Sequence, residues 1–203
     1  MKKTSVLLAL AALGFAGHAL AQQSPWLVRA RAVHLNMADK SEAIPALGVG
    51  ADQITVNNKT IPEVDITYFV TPNIAAELVL TIPQKQTVSI AGTDVGTFKH
   101  LPPTLTVQYH FSPAAQVSPY LGAGVNYTRI SSVKLLGGAG DLENQSFGLA
   151  VQAGVDYKLD KNWSLNLDLK KVQIRSDVFA GGSKVSAVKL DPWLLGVGVG
   201  YRF

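Results

Sequence analysis

The chain has 203 residues, enough for one domain, and it contains no cysteine, which excludes disulfide bridges and thiolate metal sites. Eighteen basic and 14 acidic residues give a formal charge of +4, which falls to +2 without Lys2 and Lys3. Because nucleic-acid binding requires clustered basic residues, this balance argues against a nucleic-acid partner.

The first 21 residues have the features of a signal peptide. Lys2 and Lys3 provide a basic start, residues 6–16 form a short apolar run, and Ala19-Leu20-Ala21 matches the small-x-small site of a signal peptidase. The apolar run is shorter than the about 20 residues that a transmembrane helix needs. We therefore predict an exported protein, cleaved after Ala21, whose residues 22–203 form one domain.

Eight later segments alternate between apolar and polar or small residues. In chain order they cover residues 26–32, 63–70, 74–82, 104–111, 121–128, 147–158, 163–174 and 193–203. In the last one every odd-numbered residue is apolar, whereas the even-numbered ones are mostly glycine and end in Arg202. Period-2 alternation places the two sets on opposite faces of a strand. In the seventh segment the apolar phase slips at Lys170 and Lys171, which predicts a β-bulge.

The connections between these segments alternate in length. Residues 71–73, 112–116 and 160–162 form tight turns, whereas residues 36–59, 84–99, 134–145 and 176–184 form longer loops. Short periplasmic turns and long extracellular loops are typical of outer-membrane barrels. We therefore predict an all-β fold, an eight-stranded antiparallel transmembrane β-barrel in the outer membrane of a Gram-negative cell. Its aromatic girdle near the short turns would contain Trp26, Tyr68, Tyr109, Phe111, Tyr157, Trp163, Tyr201 and Phe203.

The alternative is a soluble β-sandwich or a lipocalin-like barrel, whose strands also alternate. It would expose the face that carries glycine and charged residues to solvent. That face suits a narrow interior better, because eight strands leave a lumen just wide enough for side chains to fill.

Charged and polar residues of the predicted inner face have both signs in similar numbers. Buried charges must pair, because an isolated one costs several kcal/mol. We therefore expect a plug across the lumen, which would turn an apolar ligand toward the lipid. Its predicted members are Arg29, Arg31, Glu63, Asp65, Glu77, Gln108, His110, Asp156, Lys158, Asp168, Lys170 and Arg202. His110 is interpreted as structural, since no histidine pair has metal-ligand spacing, and no cofactor or metal is predicted.

Two consecutive prolines begin the fourth segment. Pro102 and Pro103 cannot donate hydrogen bonds to a neighbouring strand, and Leu101 precedes them. Thinned pairing there predicts a lateral exit through the barrel wall.

Several strings in the second half resemble the OmpW family (outer membrane protein W). They are His100-Leu101-Pro102-Pro103-Thr104-Leu105, Pro119-Tyr120-Leu121-Gly122-Ala123-Gly124-Val125-Asn126-Tyr127-Thr128, Gly154-Val155-Asp156-Tyr157, Leu190-Asp191-Pro192-Trp193 and Gly200-Tyr201-Arg202-Phe203. The first half matches less distinctly, through Ile74-Ala75-Ala76-Glu77-Leu78.

The resemblance implies a barrel for uptake of small hydrophobic molecules, with release sideways into the membrane. It also implies an apolar constriction, to which Val79 and Phe69 are assigned. Some relatives have a large aromatic residue on the seventh strand, where this chain reads Leu169-Lys170-Lys171. The expected partners are outer-membrane lipid, a small hydrophobic ligand, and the barrel assembly machinery, which would bind the C-terminal strand.

Two other functions were weighed. A structural or adhesive barrel would conduct nothing. A lipid-modifying barrel enzyme would need a serine nucleophile and a base, and Ser131, Ser132, Ser146 and His100 lie near predicted loops. No motif joins them, so we expect no catalysis.

Overall fold

A computed structural model describes residues 24–203, so the predicted signal peptide and its cleavage after Ala21 lie outside the described residues. Two 3-10 helices, Pro45–Leu47 and Leu136–Gly138, accompany the strands. The strands are β1 (Trp26–Asn36), β2 (Lys40–Ser41), β3 (Ile54–Val56), β4 (Lys59–Phe69), β5 (Ile74–Thr81), β6 (Gln84–Ile90), β7 (Thr93–Leu101), β8 (Thr104–His110), β9 (Val117–Leu135), β10 (Gly140–Leu142), β11 (Gln145–Lys158), β12 (Trp163–Val172), β13 (Arg175–Ala180), β14 (Ser183–Lys189) and β15 (Trp193–Arg202). Within residues 24–203, no helix is long and apolar enough to cross a membrane.

Eight of these strands form a closed antiparallel barrel. Their order around the wall is β1, β4, β5, β8, β9, β11, β12 and β15, and pairing of β15 with β1 closes the ring. Leu27 lies opposite Arg202 in that closing pair, and the register continues without a shift to Asn36 and Trp193. The eight-stranded barrel predicted from the alternation is therefore confirmed.

The outer face of the barrel is a band of exposed apolar side chains. Leu105, Val107, Leu165, Leu167 and Val197 are 46–59% exposed, although they are large and apolar. A contiguous apolar surface of this kind is expected of residues that contact lipid. Aromatic pairs mark the edge near the short turns, including Trp26 with Tyr68 at 4.8 Å between ring centroids and Trp163 with Tyr201 at 5.0 Å.

Glycines on the inner face let neighbouring strands approach closely. A Cβ on Gly124 would lie 1.9 Å from the carbonyl oxygen of Leu105, and one on Gly198 would lie 2.1 Å from that of Ala30. No side chain fits at such distances, so the glycines of the predicted lumen face are required by the narrow barrel.

The long connections predicted between the barrel strands are present, and most of their length is strand. They contain the remaining seven strands, among them the β6–β7 and β13–β14 hairpins, and these continue the barrel wall beyond the apolar band. We call this the long-loop end, and the opposite rim with the tight turns at residues 71–73, 112–116 and 160–162 the short-turn end.

The predicted bulge at Lys170 and Lys171 is wrong. The pairing of β12 with β11 and β15 has no register shift, and Lys170 and Val172 both face inward. The apparent slip arises because the inner face itself changes from charged to apolar between these two residues. The same change occurs from Arg31 to Val33 on β1 and from Glu63 to Ile61 on β4.

Candidate functional site

The lumen at the long-loop end holds a partly open apolar cavity, which we call the apolar chamber. Its wall is supplied mainly by the strands and turns beyond the membrane band. Val95, Leu136 and Gly140 come from two of the long connections, residues 84–99 and 134–145. The other residues around it are Ile44, Leu47, Ile54, Val56, Val88, Ile90, Phe98, Ile130, Leu135, Leu142, Ser176, Val178, Phe179, Ala180, Val185, Val188 and Leu190.

Below the chamber, charged side chains from five strands cross the lumen. We call the set the charge plug, and it consists of Arg29, Arg31, Glu63, Asp65, Glu77, Asp156, Asp168 and Lys170, all buried. Period-2 alternation turns these side chains toward the lumen. The strand register places them at similar heights, because Arg31 lies opposite Glu63 and Arg29 lies opposite Asp65.

Two arginines hold the charge plug together. Arg29 donates to the Asp156 carboxylate through Nε (3.1 Å) and Nη2 (2.8 Å), and its Nη1 lies 3.2 Å from both Asp65 and Glu77. Arg31 contacts Asp65 at 2.5 Å and Glu77 at 3.2 Å. Each buried cation therefore bridges several carboxylates, which offsets part of the cost of removing these charges from water.

The third cation of the charge plug is Lys170. Its Nζ lies 3.5 Å from Glu63 and 3.8 Å from Asp168. On the other side of the charge plug, at the short-turn end, a second cavity is lined by Phe69, Lys158 and Arg202 among others. The charge plug thus separates two cavities.

The barrel wall has a break in its backbone pairing beside Pro102 and Pro103, where the lateral exit was predicted. The β5–β8 ladder ends at Val79 opposite Thr104, and the β6–β7 ladder begins at Gln84 opposite His100. In the described part of the chain, no backbone pairing joins residues 80–83 to residues 101–103, and this place is called the wall gap. Pro83 on one side and Pro102 and Pro103 on the other have no N–H to donate.

The other flank of the prolines remains connected. Tyr127 N–H donates to the Pro103 carbonyl at 3.1 Å, and the Asn126 side-chain amide donates to the carbonyls of Pro102 (3.2 Å) and Pro103 (3.1 Å). The wall gap therefore lies between β5–β6 and β7–β8, and β9 supports one edge of it.

The structure buries ten of the twelve residues predicted for the plug. Gln108 and His110 lie below the ion pairs, where His110 Nε2 is 3.1 Å from the Gln108 oxygen. Lys158 and Arg202 are only partly buried and line the cavity at the short-turn end. Within residues 24–203, no group of three or more histidine, cysteine or acidic side chains is arranged to hold a metal ion.

The two residues assigned to an apolar constriction lie at different levels. Val79 is buried one pleat above Glu77, at the top of the charge plug. Phe69 lies opposite Ala75, about 13 Å further down the strand. It packs against Arg202, whose guanidinium carbon is 4.1 Å from the ring centroid. The two therefore do not form one ring of residues.

Several neutral partners of the charge plug were missed. Tyr120 is 1% exposed and donates to Asp168 at 2.7 Å, Gln152 donates to Glu77 at 3.2 Å, and Asn166 donates to Asp156 at 2.9 Å. Gln152 and Asn166 have the inward-facing parity of their strands, so the alternation could have identified them. The predicted plug included only charged residues together with Gln108 and His110. The chamber was missed as a cavity because loop strands build most of it.

One histidine outside the membrane band has a shifted pKa. Burial of His100, together with the positive charge of Lys59, lowers its pKa from 6.5 to about 4. The ring is therefore neutral at physiological pH.

Comparison with known proteins agrees with this architecture. The OmpW family model matches residues 22–203. The chain is 40% identical to the uncharacterized outer-membrane protein y4mB of Sinorhizobium fredii, over 89% of this chain and 80% of that protein. It is 34% identical to outer membrane protein W of Escherichia coli, over 73% and 76% respectively. The crystal structure of OprG from Pseudomonas aeruginosa superposes with a TM-score of 0.79 and 26% identity, over 89% of this chain and 97% of that one. The chain therefore belongs to the OmpW family, and it is an outer-membrane β-barrel of the OmpW and OprG type.

Proposed function

We propose that this protein takes up small hydrophobic molecules from outside the cell and releases them sideways into the outer membrane. The observation that carries the proposal is the order of three features along the barrel axis. The apolar chamber lies at the long-loop end, which faces outward in such barrels, and the charge plug lies below it. Between them is the wall gap.

The chamber suits an apolar ligand. Its lining is almost entirely aliphatic or aromatic, and burial of apolar surface is favourable by about 25 cal/mol per Å². A concave pocket lined by apolar side chains is the usual form of a site for a small molecule.

The charge plug makes an axial exit unfavourable for such a ligand. Passage would require the buried ion pairs of Arg29 and Arg31 to separate, and each unpaired buried charge costs several kcal/mol. The wall gap is bounded below by Val79 and above by Gln84, and its lower part is level with the top of the charge plug, where Thr81 lies opposite Glu63. A ligand that leaves above Val79 does not have to cross the ion pairs of Arg29 with Asp65 and Asp156. Lipid on its outer side is an apolar destination.

The test measures n-octane uptake by Gram-negative cells that lack their own member of this family. Cells with the wild-type protein should take up octane faster than cells without it. Pro102→Thr/Pro103→Val supplies two backbone donors that can close the wall, so uptake should fall toward the level without the protein. Pro72→Thr, in a short turn, is the matched control and should keep wild-type uptake.

Each alternative function predicts a different outcome. Equal uptake with and without the protein would favour the structural or adhesive barrel. Wild-type uptake in the double proline variant would remove the lateral route while keeping the channel. A change in membrane lipid composition on expression would instead indicate an enzyme. In planar bilayers the protein should conduct small ions poorly, because the charge plug fills the lumen.

A further inference from the structure

A neutral polar pair lies beside the apolar chamber, outside the charge plug. Gln86 on β6 and His100 on β7 both face inward and are 0% and 1% exposed. Their Nε2 atoms are 3.4 Å apart. The Gln86 Oε1 and His100 Nδ1 atoms are both buried without a hydrogen-bond partner in the described part of the chain. Buried polar atoms are rarely left unpaired, because the loss of hydration is costly.

The hydrogen bond within the pair determines what it offers to a third group. If Gln86 donates through Nε2, the His100 proton is on Nδ1, which leaves Nδ1–H and the second amide N–H as free donors and Gln86 Oε1 as a free acceptor. If the amide is turned over, His100 donates instead, and the Gln86 amide N–H groups remain as donors and His100 Nδ1 as an acceptor. Either arrangement presents at least one free donor and one free acceptor.

The position of the pair connects the chamber to the wall gap. Gln86 lies opposite Phe98, and His100 lies opposite Ile130, and both of these partners line the chamber. In the other direction, His100 is paired with Gln84, the residue that bounds the wall gap from above. The polar pair therefore lies directly behind residues that line the chamber and next to the upper edge of the wall gap, although neither side chain lines the chamber itself.

The charge state of the pair favours a neutral ligand group. Burial and the positive charge of Lys59 lower the pKa of His100, so its ring is uncharged at neutral pH. Within residues 24–203, none of the ion pairs involves Gln86 or His100. A hydroxyl, which donates and accepts in one neutral group, matches the free donor and acceptor.

We propose that Gln86 and His100 form a binding site for the hydroxyl group of a small apolar molecule, so that the barrel selects alcohols over the corresponding alkanes. The alkyl chain of such a molecule would occupy the apolar chamber while the hydroxyl bonds to the pair. This inference rests on the proposed uptake function and specifies its substrate class.

The test compares uptake of 1-octanol and n-octane by the same cells. Each probe is measured with the wild type, with Gln86→Met/His100→Leu, and without the protein. Both substitutions keep apolar volume and remove the hydrogen-bonding atoms. The double variant should lower the octanol-to-octane uptake ratio by about threefold to tenfold, the worth of one or two neutral hydrogen bonds. Val178→Ala, a change in the chamber wall at a residue that is not paired with Gln86 or His100, should reduce both probes together and leave the ratio unchanged.

A second measurement does not depend on transport. With the wild-type barrel in lipid nanodiscs, 1-octanol should shift the ¹⁵N signals of the His100 ring, whereas n-octane should not, and Gln86→Met should weaken the shift. Heat-modifiable electrophoretic mobility checks that each variant is a folded barrel. An unchanged ratio with unchanged His100 signals would overturn the inference and indicate that buried water satisfies the pair. Failure of both probes to enter with the wild type would instead overturn the uptake function itself.

Discussion

Replacement of Arg29 by methionine tests whether the charge plug is held by its cations. Methionine has a similar length but no charge, so Arg29→Met removes the bidentate bond to Asp156 and the contacts to Asp65 and Glu77. In this variant, Asp65 and Glu77 still have an ion pair with Arg31. Asp156 keeps only the neutral amide of Asn166 at 2.9 Å, so one buried carboxylate loses its counter-charge.

The size of the effect follows from that single uncompensated charge. Breaking a buried ion pair by removing one partner costs about 3–5 kcal/mol. We therefore expect Arg29→Met to lower the free energy of unfolding by about 3–5 kcal/mol. The assay is guanidinium unfolding of the barrel in lipid, followed by tryptophan fluorescence, because Trp26, Trp163 and Trp193 all lie at the edges of the apolar band.

A matched control is available on the surface. Arg175 is 60% exposed and lies 3.9 Å from Asp191, so Arg175→Met should change the free energy of unfolding by less than about 1 kcal/mol. Asp156→Asn in the Arg29→Met background should recover part of the loss, because it neutralises the stranded carboxylate. The reasoning fails if Arg29→Met is no more destabilising than Arg175→Met.

Two further predictions concern the change of the inner face from charged to apolar residues after Lys170, and the pKa of His100. Val172 faces inward and is 2% exposed, so Val172→Glu should lower the free energy of unfolding by about 3–5 kcal/mol. In the same unfolding assay, Lys171→Leu on the outer face should lower it by less than about 1 kcal/mol. If Lys171→Leu were the more destabilising change, Val172 would face outward, as the predicted bulge requires. The ¹⁵N titration of His100 should give a pKa of about 4, and Lys59→Met should raise it. Because the unfolded chain takes up this proton first, stability at the long-loop end should fall as the pH drops from 6.5 toward 4; a pKa near 6.5 would contradict the burial of this ring.

The outcome at β12 shows how the alternation could mislead. The sequence identifies two faces correctly, but it does not say that the inner face becomes apolar above Lys170. Val172 and Ile174 were therefore assigned to the lipid side by a bulge that does not exist. The physical reason is that the lumen above Lys170 is filled by buried apolar residues, and Val172 and Ile174 belong to one cluster with residues that line the apolar chamber.

The eight-stranded barrel, its short turns and the inward charges follow from the sequence alone, since strand periodicity is a local property that each segment carries for itself. The ion pairs within the charge plug and the second side of the wall gap needed the tertiary structure. Which carboxylates Arg29 bridges depends on strands far apart in the chain, and the wall gap exists because residues 80–83 lie opposite Pro102 and Pro103. Such pairings depend on the register of non-neighbouring segments, which the closed barrel sets and no single segment encodes.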